Sequence, residues 1–216
     1  ADYNFFEQKI LPKKYQSYTN RYWQSRTMSP SSLLFYLGVS KKIKNLEHHN
    51  LFFDEDIEEH INDIYKKPIW PKKPLFYVCC PSKTDIEVAP KDKENIFILI
   101  PIAPGIEDTI DVRKKYYNIV LDRLSKYCQM DLKRNIEYER SYCINDFISD
   151  YNAFKGNAYG LANTLTQTAN LKPKIKSKKI NNLFYTGQLT VPGPGVPPSL
   201  ISGKVVANYI LNKELC

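Results

Sequence analysis

The sequence predicts an α+β protein. Two strongly apolar segments of strand length, Leu75–Cys80 and Asn95–Ile102, are separated by a loop that contains turn-forming residues. A helical pattern with apolar residues on one face follows over Asp108–Cys128. Strands that are adjacent in sequence usually pair, and a long helix buries its apolar face against a sheet. We therefore expect a mixed or antiparallel sheet with packed helices.

The remaining elements are predicted from local periodicity and from helix-breaking residues. Residues 2–26 are predicted to form a helix that breaks near Pro12. Asp54–Lys67 is predicted to form a second helix, whose acidic start and basic end complement the helix dipole. Leu33–Val39 is a short apolar run interrupted by Gly38. The weaker predictions are strands at Asn50–Phe53, Asn135–Tyr142 and Asn182–Thr186, a shaped loop over Tyr151–Thr168 and a helix over Ser199–Asn212.

Composition narrows the class of protein. The 216 residues are 43% hydrophobic and 13% aromatic, which excludes intrinsic disorder and allows a sizeable core. No apolar run approaches the roughly 20 residues of a membrane-spanning helix. We expect a soluble or peripheral protein, in the cytoplasm or on the inner face of the cell membrane, and leave its oligomeric state open. The five irregularly spaced cysteines predict buried, reduced thiols rather than a disulfide framework.

Glycine is concentrated near the C-terminus. Six of the eight glycines lie at or beyond Gly156, and four of them fall in Asn182–Ile210, where a predicted strand, a proline–glycine loop and a helix follow one another. Glycines permit a close approach of the backbone, and a helix start favours negative charge. The segment could therefore bind a phosphate, a carboxylate or the electron-rich edge of a reduced flavin. A simple strand-to-helix connection would have the same pattern.

Two motifs carry a family resemblance. The loop contains Thr-x-Pro-Gly-x-Gly-x-Pro, formed by Thr190, Pro192, Gly193, Gly195 and Pro197. A second stretch, Ser141–Lys174, matches through Asp146, Phe147, Tyr151, Asn152, Gly156, Ala158, Tyr159, Gly160 and Leu161. In both, the chain resembles the C-terminal end of the bacterial and fungal phytoene desaturases, a branch of the FAD-dependent oxidoreductases. The likeness covers most of the chain and is weakest in residues 1–30.

The resemblance implies a cofactor site and a division of the chain. FAD would be bound by Gly187, Gln188, Thr190, Val191, Pro192, Gly193, Gly195, Val196 and Pro197. Residues 1–145 would be a portion of the carotenoid-binding substrate domain. Residues 146–216 would complete a FAD-binding, Rossmann-like domain with a C-terminal strand–loop–helix. The G-x-G-x-x-G fingerprint of such domains is absent, so we expect a chain that is the C-terminal part of a longer enzyme and is inactive alone.

The implied function is desaturation of a carotene. Hydride transfer from phytoene to FAD, with loss of a proton, would lengthen the conjugated system toward neurosporene or lycopene. We assign no catalytic side chain, because this chemistry does not require an acid–base residue. Desaturases of C30 or oxygenated carotenoids and carotene isomerases share the motif and remain alternatives. A non-catalytic lipid- or nucleic-acid-binding module is a further alternative.

Three other patterns have competing explanations. Basic residues among Tyr15, Tyr18, Tyr22 and Trp23 suit a membrane interface, but an aromatic face packed on its own domain is favoured. Five lysines in residues 172–179 could contact nucleic-acid phosphates, but no stacking platform accompanies them, so a solvated loop without nucleic acid is predicted. No metal site is predicted, because the three histidines lack a spaced carboxylate and adjacent Cys79 and Cys80 should point to opposite faces.

Overall fold

The computed structural model describes residues 2–214 and confirms the α+β class with an antiparallel sheet. In chain order the helices and strands are α1 (Tyr3–Phe5), α2 (Asn20–Gln24), β1 (Ser31–Val39), β2 (His49–Phe52), α3 (Ile57–Tyr65), β3 (Phe76–Cys79), β4 (Glu94–Ile102), α4 (Ile110–Cys128), β5 (Ile136–Tyr142), α5 (Ile144–Tyr151) and α6 (Val196–Glu214). The chain forms two compact units. We call residues 31–145 the sheet unit, and residues up to Pro30 with those from Asp146 onward the loop unit.

The sheet unit is built on five antiparallel strands in the order β2-β3-β4-β1-β5. The two long central strands pair in continuous register from Ser31 opposite Ile102 to Val39 opposite Glu94. Burial alternates along β4, so that successive side chains lie on a fully buried face and on a half-buried face. The pairing of β3 with β4 confirms the neighbouring strands that the two apolar segments predict.

The core of the sheet unit lies between the buried sheet face and α4. Ile98 and Ile100 on β4 are fully buried, as are Val120, Leu121 and Leu124 on the helix. Leu124 follows Leu121 by three residues and Val120 by four, and this spacing places side chains on one face of a helix. This packing confirms the predicted long helix against one face of the sheet.

The loop unit has a core of aromatic rings. Tyr3 stacks on Tyr185 with ring centroids 3.6 Å apart, and Trp23 is completely buried beside them. Glu7 is also buried, and its carboxylate accepts hydrogen bonds from the backbone amides of Ser17 and Tyr18. The aromatic residues of the N-terminal segment therefore pack largely on their own unit, the alternative that the sequence favoured.

Several boundaries differ from the predictions. Helix over residues 2–26 forms only in pieces, as α1, a π-helical turn at Phe6–Ile10, a 3-10 turn at Lys13–Tyr15 and α2, because Pro12 interrupts it and Thr19 starts a separate helix as the N-cap of α2. The strand predicted at Asn182–Thr186 is wrong. Phe184 forms only an isolated antiparallel bridge with Lys176, because the pairing of residues 183–185 with 175–177 is too short to make a strand.

The compact units also divide the chain differently from the predicted domains. Residues 2–30 pack with the segment from Asp146 onward, whereas the sequence interpretation grouped them with residues 31–145. The break at residues 145 and 146 is common to both divisions. The substrate and cofactor roles of the two parts stay predictions.

The cysteines lie mostly in the core. Among residues 2–214 no cysteine forms a disulfide, and Cys80, Cys128 and Cys143 are buried as predicted. Cys79 is partly exposed, so the prediction of burial is wrong there, because its side chain lies on the half-buried sheet face. Cys216 lies outside the described residues. Within residues 2–214, no helix has the length and hydropathy needed to cross a bilayer.

Candidate cofactor site

Loop 187–197 contains the residues that the resemblance assigns to cofactor binding, and its path depends on glycine. Gly193 and Gly195 have φ angles of +134° and +108°, which residues with a side chain rarely adopt. A Cβ on Gly193 would lie 3.3 Å from Cε of Lys172, and a Cβ on Gly195 would lie 3.3 Å from Cδ of Pro198. Both the backbone conformation and the tight packing therefore explain these glycines.

A hydrogen-bonded turn fixes the start of the loop. The backbone amide and the hydroxyl of Thr190 both donate to the carbonyl oxygen of Gly187, at 3.1 and 3.0 Å. The amide of Gly187 donates to Oγ of Ser202 at 2.6 Å, and that hydroxyl donates to the carbonyl of Ser199. Thr190 is fully buried. Its hydroxyl therefore holds the turn, and Ser202 is a supporting residue that the sequence interpretation missed.

The start of α6 offers fewer hydrogen-bond donors than the sequence interpretation assumed. The helix begins at Val196, and the prolines at 197 and 198 have no N–H group. The amide of Ser199 donates to the carbonyl of Gly195 at 3.0 Å. Proline suits a first helical turn, which is why the helix starts three residues before the predicted Ser199. The helix dipole remains, but the first turn is a weak source of N–H donors for a ligand.

A cavity of about 410 Å³ lies at the beginning of the loop. It is lined by Asp2, Tyr3, Phe147, Tyr151, Ala153, Asn157, Ala158, Thr186, Gly187, Gln188 and Leu189. The stretch Ser141–Lys174 and the residues just before the Thr190–Pro197 motif thus line one cavity. Of the predicted cofactor residues it brings together Gly187 and Gln188, but not Thr190, Val191, Pro192, Gly193, Gly195, Val196 or Pro197.

Polar side chains in the cavity are held by the surrounding backbone and by one another. The Asp2 carboxylate accepts from the amides of Asn4 at 2.6 Å and Phe154 at 3.0 Å, and burial raises the pKa of that carboxyl. Oδ1 of Asn157 accepts from Nε2 of Gln188 at 3.4 Å. Sequence reasoning missed Asp2 as a cavity residue, although an aspartate before a helix is a recognisable N-cap signal.

Gly160 permits the close approach of the two cavity segments. Its φ is +73°, and a Cβ there would lie 2.8 Å from the carbonyl oxygen of Gln188. Its amide donates to Oδ1 of Asn157 at 2.7 Å, and its carbonyl accepts from the amide of Ser29. No other residue type would fit without moving Gln188 away from the cavity wall.

Lys172 is the unexpected feature beside the loop. It is 2% exposed, and its Nζ has no hydrogen-bond partner among residues 2–214. Burial lowers the pKa of its amine. A Cβ on Gly193 would lie 3.5 Å from that Nζ. The prediction of a solvated lysine run is therefore wrong at this position, because the first lysine of the run packs inward while Lys178 and Lys179 stay exposed.

Known proteins that match the chain place it in one family. It is 42% identical over 211 residues to a carotenoid 3,4-desaturase of Haloarcula japonica, covering 98% of this chain and 43% of that protein. It is 28% identical over 218 residues to a zeta-carotene-forming phytoene desaturase of Myxococcus xanthus, covering 98% and 41%. A 4,4'-diapophytoene desaturase of Staphylococcus haemolyticus is 30% identical over 220 residues, covering 98% and 44%. The chain belongs to the carotenoid desaturase family.

The chain spans less than half the length of the curated relatives that it matches. No family model matches the chain. Family membership confirms the resemblance drawn from loop 187–197 and from Ser141–Lys174. It does not test the role of any single residue, so the cofactor assignments from Gly187 to Pro197 stay predictions.

Proposed function

We propose that the protein containing this chain is an FAD-dependent oxidoreductase of carotenoid biosynthesis, in which the loop unit contributes to the cofactor site and the sheet unit to the substrate site. The observation that supports this most directly is the buried, unpartnered amine of Lys172 beside the glycines of loop 187–197. The family membership of the chain supports the reaction class.

The residues present fit an electron-rich, planar ligand such as a flavin. Gly187 has a φ of +99° and no atom within 4 Å of the place where a Cβ would stand, so a ligand can approach its backbone. A buried ammonium without a counter-charge is unfavourable, and an anionic or electron-rich group beside it would remove that cost. Gly187 and Gln188 would then hold one part of the cofactor, and Lys172 with Gly193 another.

Lys172 is a better source of positive potential than the start of α6. Pro197 and Pro198 remove two N–H groups from the first turn of that helix, and the amide of Ser199 is already bonded within the chain. A side-chain ammonium carries a full charge, whereas a helix start carries about half of one. We infer that the electrostatic support proposed for the helix start comes mainly from Lys172.

The sheet unit offers an apolar surface suited to a hydrocarbon. On the half-buried face of the sheet, Phe97 lies 5.4 Å from the ring of Tyr36 and 6.4 Å from that of Tyr77, measured between centroids. Leu99 is the cross-strand partner of Tyr77 on the same face. The segments Leu75–Cys80 and Asn95–Ile102 thus bury one face only, which favours a role as the wall of a carotenoid site over a sheet buried on both faces.

The chemistry needs orientation more than proton transfer by a side chain. When bound, FAD supplies a planar acceptor for hydride. Apolar side chains on the half-buried sheet face would align the polyene and exclude water, while Lys172 would favour negative charge near loop 187–197. No acid–base residue is assigned.

The substrate is phytoene in our first proposal, with neurosporene or lycopene as products. The second candidate is 3,4-desaturation of a carotenoid, and the observation that favours it is the higher identity, 42%, to the Haloarcula japonica carotenoid 3,4-desaturase, compared with 28% to the Myxococcus xanthus phytoene desaturase. In both reactions, each desaturation step removes two hydrogens, one as hydride and one as a proton, from the carbon chain of the carotenoid.

Product analysis separates these candidates. The full natural protein is produced in cells that accumulate phytoene and, in parallel, in cells that accumulate lycopene. A coloured product in the first cells supports phytoene desaturation. A product that is more conjugated than lycopene, formed in the second cells but not in the first, supports 3,4-desaturation. No new carotenoid in either, together with protein that purifies without flavin, would overturn the proposed function.

A lysine substitution tests the proposed cofactor contact. In the full natural protein, Lys172→Met should weaken FAD retention by about 10- to 100-fold, since a charge-assisted contact contributes about 1.5–3 kcal/mol. It should also lower the flavin midpoint potential, because reduced flavin loses a stabilising positive charge. The matched control is Lys179→Met, an exposed lysine of the same run. Equal retention and potential in both variants would contradict a contact between Lys172 and the cofactor.

A further inference from the structure

Three potential metal ligands meet at the edge of the sheet unit. His49 on β2 is the antiparallel partner of Cys79 on β3, and His48 immediately precedes β2. One ligand atom from each of the three side chains lies within 4.8 Å of the others. His49 is exposed, whereas His48 and Cys79 are half-buried, so the group is accessible from solvent. Strand pairing creates this group from residues 30 positions apart, which is why sequence spacing did not reveal it.

Each imidazole is already oriented by a hydroxyl group. Nδ1 of His48 is hydrogen-bonded to Oγ1 of Thr84, and Nδ1 of His49 to the hydroxyl of Tyr77, both at 2.6 Å. Histidines that bind metals usually hydrogen-bond through the second ring nitrogen, which fixes the ring and leaves the other nitrogen to coordinate. Both Nδ1 contacts suit this supporting role, in which Nε2 of each ring would be the atom left to coordinate.

We propose that His48, His49 and Cys79 form a binding site for a transition-metal ion, with Zn²⁺ as the best match. Two imidazoles and one thiolate are ligands that zinc accepts in tetrahedral sites, whereas Mg²⁺ and Ca²⁺ prefer oxygen. Three protein ligands leave the fourth position to water or another small ligand. The site is independent of the proposed carotenoid chemistry.

Binding has a simple proton balance and a structural consequence. The Cys79 thiol releases one proton and coordinates as thiolate, while the two imidazoles coordinate in their neutral form. The ion would then join the edge strand β2 to β3 through side chains as well as backbone hydrogen bonds. Because the metal binds the folded arrangement, it should raise the unfolding temperature in proportion to its affinity and concentration.

Cobalt is the probe that reports on the sulfur ligand. The full natural protein, freed of metal by chelation, is titrated with Co²⁺, which gives a thiolate-to-cobalt charge-transfer band and visible bands that report on geometry. We expect the charge-transfer band to saturate at one ion for this site and to disappear when Zn²⁺ is added. Cys79→Ser should abolish the band. Cys80→Ser is the matched control, because its neighbouring thiol is buried on the opposite face and should leave the band unchanged.

The supporting hydroxyl gives a second test that leaves all ligands in place. Thr84→Val should weaken Co²⁺ and Zn²⁺ binding by about 10-fold, as loss of an orienting partner typically does. His49→Ala should weaken binding more than Thr84→Val. No charge-transfer band in the unmodified protein, or a band that survives Cys79→Ser, would overturn the proposal. Neither result would bear on flavin content or carotenoid products.

Discussion

The two units of this chain reach stability by different means. In the sheet unit, long strands in continuous register and one long helix bury aliphatic side chains such as Ile98 and Leu124. In the loop unit, residues 152–195 contain neither an α-helix nor a β-strand, and aromatic rings, caps and side-chain hydrogen bonds hold the backbone. Regular elements satisfy their own polar groups, whereas irregular backbone needs a specific partner at nearly every position. A single substitution should therefore act differently in the two units.

The largest expected effect is the loss of the indole at the centre of the loop unit. Trp23→Ala should reduce the free energy of unfolding by about 3–5 kcal/mol, because it removes a completely buried ring that contacts Tyr3, Tyr18 and Tyr22. Denaturant unfolding of the full natural protein measures this. The sheet-unit counterpart, Ile98→Val, removes one methylene and should cost only about 0.5–1.5 kcal/mol. A similar loss in the free energy of unfolding for both variants would argue against a different sensitivity of the two units.

A pair of glycine substitutions tests whether irregular backbone is the sensitive part. Gly160→Ala should destabilise the protein by about 1–3 kcal/mol, because φ is +73° and the new Cβ would collide with the Gln188 carbonyl. Gly203→Ala lies within α6, where a Cβ meets nothing within 4 Å, and should stabilise by about 0.5–1 kcal/mol. Thermal unfolding compares them, and a shift of the same sign in both would count against the interpretation.

Acid should affect carboxylates of the two units in opposite directions. Burial alone would raise the pKa of Asp108, but hydrogen bonds from Arg113 and the Asn145 amide outweigh it and lower the pKa below 3.8. Its stabilising contribution is therefore present above pH 3.8 and is lost as pH falls through the lowered value. The pKa of Asp2 is raised by burial, so its contribution is greatest below pH 3.8 and declines as pH rises through the raised value.

Amide substitutions isolate these two titrations. Asp108→Asn should reduce the decrease in unfolding temperature that accompanies falling pH below 3.8. Asp2→Asn keeps a good N-cap and should remove a loss of stability that accompanies rising pH above 3.8. Unfolding temperature measured from pH 2 to 7 in each variant is the test. Identical pH profiles for the two variants would show that the opposite shifts are not present.

The smallest effect is a difference in thiol reactivity that leaves stability unchanged. Burial raises the pKa of Cys80 and of Cys128 to about 11, so both are protonated as well as inaccessible near neutral pH. Cys79 is partly exposed. A brief treatment with iodoacetamide followed by peptide mass spectrometry should find Cys79 labelled before the other two. Faster labelling of Cys80 would show that β3 does not place the two neighbours on opposite faces.

Local sequence patterns were enough to predict the main strand and helix of the sheet unit and the family of the chain. The continuous apolar sequence of strand length at Asn95–Ile102 located β4 within one residue, and the spacing of Val120 and Leu124 located α4. The loop motif from Thr190 to Pro197 identified the family correctly, because that order of residues is unusual in ordinary loops. These signals are local, so a single sequence contains them.

Contacts between distant residues could not be predicted. Lys172 looked like one of several solvated lysines, and only the path of the chain places it beside Gly193. The short segment around Phe184 has strand composition but pairs only through a single bridge to Lys176, so propensity predicted a strand that does not form. His48, His49 and Cys79 meet through the register of two strands, which composition does not specify.

The contact between the first and last parts of the loop unit has a consequence for the timing of synthesis. Glu7 accepts a hydrogen bond from the hydroxyl of Tyr185, 178 residues further along the chain. At about 5–20 residues per second, the ribosome delivers that partner roughly 10 to 35 s after Glu7. During this interval Tyr3 and Trp23 lack the ring of Tyr185, while every strand of the sheet unit has already emerged. The unit that contains the proposed flavin contacts can only be completed last, and a nascent chain stopped before Tyr185 leaves its aromatic core open.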